Sequence, residues 1–118
     1  MITLYHNNKC SKCREVLEIL KNSKKEFEVV VYLETPPSAE LLESLLNQLK
    51  LEPEQTVRTG EDEYEILATS GSLPKSRTDW IALMVKYPVL IERPIVSNGM
   101  TAVVGRPPSK VSEWLANF

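Results

Sequence analysis

The 118-residue chain has only two cysteines and one histidine. That scarcity bears first on metal. A structural zinc site takes four Cys or His ligands. Cys10, Cys13 and His6 make three, all in one local stretch, and no second knuckle exists. Basic charge is not in excess either. Lys and Arg number 14 against 16 Asp and Glu, for a net charge of −2, the reverse of the basic stripe that binds nucleic acid. No apolar run approaches the roughly 20 residues of a membrane span. The opening "MITLYHNNKC" lacks the charged-then-apolar order of a secretion signal. These absences predict a cytoplasmic protein without bound metal or cofactor, and without nucleic acid or membrane as a partner.

What is present is ordinary in bulk: 42% hydrophobic and 25% charged residues, enough for one domain with a core of its own. The cysteines are spaced C-x-x-C. In a reducing compartment that spacing is more often catalytic or metal-binding than a structural disulfide. With zinc short of ligands, redox or nucleophilic use leads.

Periodicity places the motif. "ITLYH" (2–6) is β-prone. Cys13, Val16, Leu17 and Leu20 recur at i, i+3, i+4 and i+7, which predicts a helix from Cys10 or Ser11 to Asn22 or Ser23. "FEVVVYL" (27–33) predicts a second, largely buried strand. Strand, helix and strand with short joints imply parallel pairing and a right-handed crossover. After "ETPPS", Ser38 is the expected N-cap of a helix whose Leu41, Leu42, Leu45, Leu46 and Leu49 face the core. Residues 52–76 read as short helices and loops. "TDWIALMVKYP" predicts a helix with Trp80, Ile81, Met84 and Val85 inward, stopping before Pro88. "IVS" and "TAVV" read as strands around Asn98-Gly99, the dipeptide favoured in type I′ hairpins. A last helix turns Val111, Trp114, Leu115 and Phe118 inward. The order β-α-β, helical block, β-β-α predicts an α/β chain: one thioredoxin-like domain over residues 1–118, with a helical insertion at about 35–90.

That fold carries a redox C-x-x-C after the first strand, at the start of the first helix. Only the thiolate is nucleophilic, and a free thiol with a pKa of about 8.5 supplies little of it at neutral pH. A lowered pKa is expected for Cys10 from the helix N-terminus, from Lys9, Lys12 and Arg14, and from His6 across the loop. Cys13 has two readings: a resolving thiol within disulfide reach of Cys10, or a small buried core residue. A lone histidine is commonly structural, but His6 stands four residues before a nucleophile candidate. Arg77 reads as a solvated surface charge. Arg93 and Arg106 each precede a proline at the edges of the hairpin. The segment entering the third strand passes beside the first helix N-terminus, where a guanidinium could hold a tetrahedral oxyanion bidentately.

"YHNNKCSKCR", "YLETPP", "YPVLIERPIV" and "GRPP" together resemble the glutaredoxin-coupled arsenate reductases, in order over essentially the whole chain. The resemblance implies a thioredoxin-like domain with a helical insertion. It places Cys10 on the catalytic cysteine and His6 on the histidine that modulates it. Arg58, Arg93 and Arg106 fall on the oxyanion-binding arginines, and Pro94 on a cis-proline. It implies attack of the Cys10 thiolate on arsenate, then reduction by glutathione, as co-substrate, and glutaredoxin. At one position the sequence departs from this pattern. Cys13 stands where many glutathione-using members have serine or another residue, so an internal Cys10–Cys13 disulfide reduced by thioredoxin or glutaredoxin is a second route.

Two other readings share the fold. Spx-type regulators carry C-x-x-C at the same place and use its disulfide as a switch for binding RNA polymerase. His6, the "GRPP" segment with Arg106, and a chain that ends soon after the last core helix count against that reading. A generic thiol-redox protein without arsenate activity is the third.

Overall fold

The structure, a computed structural model, describes residues 1–117. Phe118, expected to face inward, lies outside the described residues. The chain divides into two compact units: Met1–Thr35 together with the stretch from Arg93 onward, and Pro36–Glu92.

In the first unit the elements are β1 (Ile2–His6), α1 (Ser11–Asn22), β2 (Phe27–Val31), then β3 (Ile95–Ser97), β4 (Ala102–Val104) and α5 (Ser109–Ala116), with α2 to α4 lying between in the chain. The strands form one sheet in the order β2-β1-β3-β4. β1 pairs parallel with β2, antiparallel pairing joins β1 to β3, and the same holds for β3 and β4. This is the thioredoxin-like sheet expected from the element order. Alternation in β1 sends Ile2, Leu4 and His6 to the buried face. Ile2 and Leu4 join Val16 and Leu20 of α1, Val96 of β3, and Val111 and Leu115 of α5 in a single core. Each fully buried side chain of this kind stabilises the fold by roughly 1.5–3 kcal/mol. Trp114 packs on the edge of that core, and its indole N–H donates to Thr101 Oγ1 at 3.1 Å.

Two expectations are corrected here. β2 is not largely buried. It is the edge strand, with Val29 41% exposed. It also stops at Val31, where the N–H groups of Glu34 and Thr35 turn back onto the Val31 carbonyl at 3.0 and 2.9 Å. The hairpin is not type I′ around Asn98-Gly99, because that turn needs positive φ at both residues and only Gly99 has it, at +92°. Asn98 instead pairs with Thr101, its N–H donating to the Thr101 carbonyl at 3.1 Å. The Asn98 Oδ1 accepts from the N–H groups of Met100 and Thr101. The tip is thus Gly99-Met100, and the asparagine serves as a side-chain brace.

Gly105 follows β4 under tight constraint. A Cβ there would lie 2.7 Å from Val16 Cγ2, 3.0 Å from Pro94 Cγ and 3.1 Å from Val111 Cγ2. Its N–H donates to the Pro94 carbonyl at 2.9 Å. The peptide bonds Arg93-Pro94 and Arg106-Pro107 are both cis; the first was expected and the second was not.

The second unit contains α2 (Ala39–Leu49), α3 (Asp62–Thr69) and α4 (Arg77–Lys86), with 3₁₀ turns at Pro53–Thr56 and Pro88–Leu90. Ser38 caps α2 as expected, accepting from the Leu41 N–H at 3.1 Å. Leu42, Leu45 and Leu46 are buried, as are Trp80, Ile81 and Met84 of α4. Arg77 departs from its expected role as a solvated charge. It is half-buried and pairs with Glu43 at 3.0 Å and Glu52 at 2.9 Å, which ties α2, the loop after it and α4 together. Among the described residues no helix is long and apolar enough to cross a membrane.

Candidate active site

Strand register gathers the chemistry at one end of the sheet in the first unit. His6 is opposite Val31, Tyr5 is opposite Ile95, and Ile95 is opposite Val104. The segments just past these pairs therefore emerge at the same end: the loop 7–10 after β1, Tyr32 after β2, Arg93 before β3 and Arg106 after β4.

Cys10 is the N-cap of α1, in extended conformation at φ −99° and ψ 122°. Its N–H donates to the Asn7 carbonyl at 3.0 Å, which fixes the loop. The thiol is buried at 9% exposure. Arg106 Nη2 donates to Cys10 Sγ at 3.5 Å, while Arg106 Nε donates to the Arg93 carbonyl. Burial alone would raise the Cys10 pKa. The Cys13 backbone N–H, the Cys13 thiol, the Arg93 guanidinium and the Arg106 charge all favour the thiolate, and their sum lowers it. The local cations contribute otherwise than expected. Lys12 pairs with Glu15 at 3.6 Å, and Arg14 Nη1 donates to the Asn8 carbonyl at 3.1 Å. The cations that act on the thiol are the arginines distant in sequence.

Cys13 lies one turn along α1 and is 0% exposed. Burial pushes its thiol up to about 12, and the neighbouring Cys10 adds to the rise. The two thiols are thus pushed in opposite directions, Cys10 toward easier ionisation and Cys13 beneath it away from it. His6, 3% exposed, lies at the end of β1. Burial lowers its pKa, Asn8 opposes that and the Arg14 charge adds to it, so the imidazole is neutral at pH 7. Its Nδ1 is buried with no hydrogen-bond partner among the described residues. Its interactions run to Asn8 and Arg14, not to the Cys10 sulfur.

Of the expected site residues, Cys10, Cys13, Arg93 and Arg106 are brought together, with Pro94 beside Gly105. Arg58 belongs to the second unit. There its Nε donates to Glu61 Oε1 at 3.1 Å and its Nη1 to Glu92 Oε1 at 2.9 Å. Sequence reasoning missed Tyr32, which is buried at 2% exposure and bonded to Arg93. The signal available was its place directly after β2, in the quoted "YLETPP". No group of three or more His, Cys, Asp or Glu side chains among the described residues is placed to hold a metal ion.

A nucleophile at a helix N-terminus with two converging guanidinium groups is a site for an anionic, electrophilic substrate. A model of the ArsC family matches residues 5–114. The chain belongs to the ArsC family. Among relatives, a protein of Escherichia coli (strain K12) named uncharacterized protein YfgD is 43% identical over 95% of this chain and 94% of its own. An arsenate reductase of Haemophilus influenzae is 36% identical over 97% of this chain and 98% of its own. A solved structure, an arsenate reductase from Vibrio cholerae, matches with a TM-score of 0.86 at 45% identity, covering 95% of each chain. The thioredoxin-like fold is therefore that of the ArsC family.

One prediction follows from the paired thiols. Alkylation of Cys10 by iodoacetamide should rise with pH through a midpoint below that of a free cysteine, with Cys13 unlabelled in the folded protein. An ordinary midpoint, or equal labelling, would refute the assignment. The stability consequences have opposite signs. Cys10, with a folded pKa below its unfolded value, adds stability above the ordinary thiol pKa, and that stability is lost as pH falls through the folded value. Cys13 adds stability below the ordinary thiol pKa, and this is lost as pH rises toward about 12.

Proposed function

We propose that this protein is an arsenate reductase with Cys10 as its nucleophile. The observation that carries the reading is the Cys10 sulfur at the N-terminus of α1, within reach of both Arg93 and Arg106. The relatives named arsenate reductase support the choice of oxyanion.

The Cys10 thiolate attacks arsenic. A sulfur–arsenic bond forms, an arsenic–oxygen bond breaks, and that oxygen leaves as water after taking up a proton. Arg93 and Arg106 neutralise the oxyanion and the charge that develops on it. The family resemblance gives Arg58 an oxyanion-binding role as well. Cys13 then attacks the Cys10 sulfur, its proton passing to an oxygen of the departing arsenite. The sulfur–sulfur bond forms and the sulfur–arsenic pair of electrons stays on arsenic. Arsenic passes from the +5 to the +3 state and leaves as arsenite, while the two thiols lose two electrons. A dithiol of thioredoxin or glutaredoxin returns them. Formation of the adduct removes the Cys10 negative charge, one of the causes after burial that oppose ionisation of Cys13. In the other route external glutathione attacks the adduct, and glutaredoxin reduces the mixed disulfide on the enzyme. Contact between the Cys13 and Cys10 thiols supports the internal route.

The test is arsenate turnover by wild type and Cys13→Ser, each with thioredoxin or with glutathione and glutaredoxin. The expected result is loss of thioredoxin-supported turnover in Cys13→Ser by roughly 100-fold or more. Unchanged turnover in that variant would return the step to glutathione. A wild type inactive with both systems would remove the enzyme reading, and polymerase binding controlled by oxidation would then identify a regulator.

A further inference from the structure

The mechanism uses Arg93 but leaves unexplained what aims it. A guanidinium on a long side chain gains little at a site unless it is held, because ordering it costs rotamer entropy. Arg106 is tied down by the carbonyl of Arg93. Arg93 needs an equivalent.

The candidate is Tyr32. It is the first residue past β2, at the same end of the sheet as Cys10. Although β2 is the exposed edge strand, Tyr32 is 2% exposed, against 41% for Val29 and 40% for Leu33. A tyrosine buried at the end of an exposed strand needs a partner for its hydroxyl. That partner is Arg93, whose guanidinium interacts with the Tyr32 hydroxyl and with the Cys10 thiol. Tyr32, Arg93 and Cys10 thus form a chain of contacts across β1, from the edge strand to the nucleophile.

We infer that Tyr32 is a positioning residue, whose phenolic oxygen fixes the Arg93 guanidinium against the Cys10 sulfur and the bound oxyanion. The inference rests on the oxyanion role given above to Arg93. It adds a residue that touches neither thiol nor substrate. Arginine suits this double duty, since its rigid guanidinium carries five N–H donors in fixed geometry, whereas a lysine ammonium is a point charge on a flexible stem. The sheet supplies the rigid element that makes the aim reproducible.

Tyr32→Phe keeps the ring and removes one oxygen atom. The first measurement is the pH dependence of Cys10 alkylation without arsenate, which does not depend on what the enzyme reduces. The expected result is an upward shift of the midpoint by roughly half to one pH unit, because a loosened Arg93 favours the thiolate less. A midpoint unmoved or lowered would overturn the inference. The second measurement is the cycle with Arg93→Ala: adding Tyr32→Phe to that variant should change neither the midpoint nor kcat/KM further, and additive effects would overturn it. Arsenate kcat/KM of Tyr32→Phe alone should fall about tenfold. Arg93→Lys serves should Tyr32→Phe not fold: it must shift the midpoint upward too, since a point charge cannot meet both partners, and an unchanged midpoint would sink the proposal. If wild type reduces no arsenate, the proposed function fails while the alkylation profile still decides the role of Tyr32.

Discussion

Cys10→Ser should eliminate arsenate reduction, lowering kcat by roughly 10⁴-fold or more with either reductant. The substitution changes one atom in a buried N-cap position, and serine is itself a good N-cap, so α1 and the core should stand. What is lost is the nucleophile. The Arg106 N–H, the Arg93 guanidinium and the Cys13 N–H favour the Cys10 thiolate and lower the pKa of its thiol. The same groups cannot hold a serine alkoxide at neutral pH. Thermal melting close to wild type combined with no turnover is the expected pair of results. Substantial turnover in Cys10→Ser would show that another group attacks arsenic.

Arg106→Ala should reduce kcat/KM by about 10²–10³-fold, the scale of removing one preorganised oxyanion donor. At the site Arg106 Nη2 donates to Cys10 Sγ, and its Nε to the Arg93 carbonyl. Its loss therefore withdraws charge from the thiolate as well as from the oxyanion, and the Cys10 alkylation midpoint should rise together with the loss of rate. Arg106→Lys should recover only part of either effect, since a single ammonium cannot span both contacts. Steady-state kinetics and alkylation of the two variants check this. Wild-type kinetics in Arg106→Ala would remove the residue from the site.

Much of this arrangement was legible in the sequence because it depends on local pattern. The helical face of Cys13, Val16 and Leu20 placed Cys10 at a helix start, and the N-cap geometry agrees. Ser38 and the leucine face of α2 could be read from capping chemistry and periodicity in the same way. What could not be read was pairing between residues distant in sequence. Nothing local says that Arg14 turns to the Asn8 carbonyl while Arg106, 96 residues from Cys10, reaches its sulfur. Nor does sequence pattern show Glu61 and Glu92 closing on Arg58, or a tyrosine after an edge strand meeting Arg93. β2 misled for a related reason. "FEVVVYL" has the composition of an interior strand, but strand order, which no single segment encodes, put it at the edge. The hairpin failed by one residue because the Asn98 side chain satisfies two backbone N–H groups, which makes a brace more favourable than left-handed backbone.

Gly105 carries a consequence for how this protein fails on heating. Its bare Cα lies against side chains of α1 and α5 and against Pro94, immediately between the two arginine-bearing segments. The spacing of the guanidinium groups is thus set by close packing in the hydrophobic interior, where a gap of even 1 Å forfeits contact energy. Warming that loosens this packing should therefore shift the arginines and weaken the core together, so that arsenate turnover and thermal melting decline over the same temperature range.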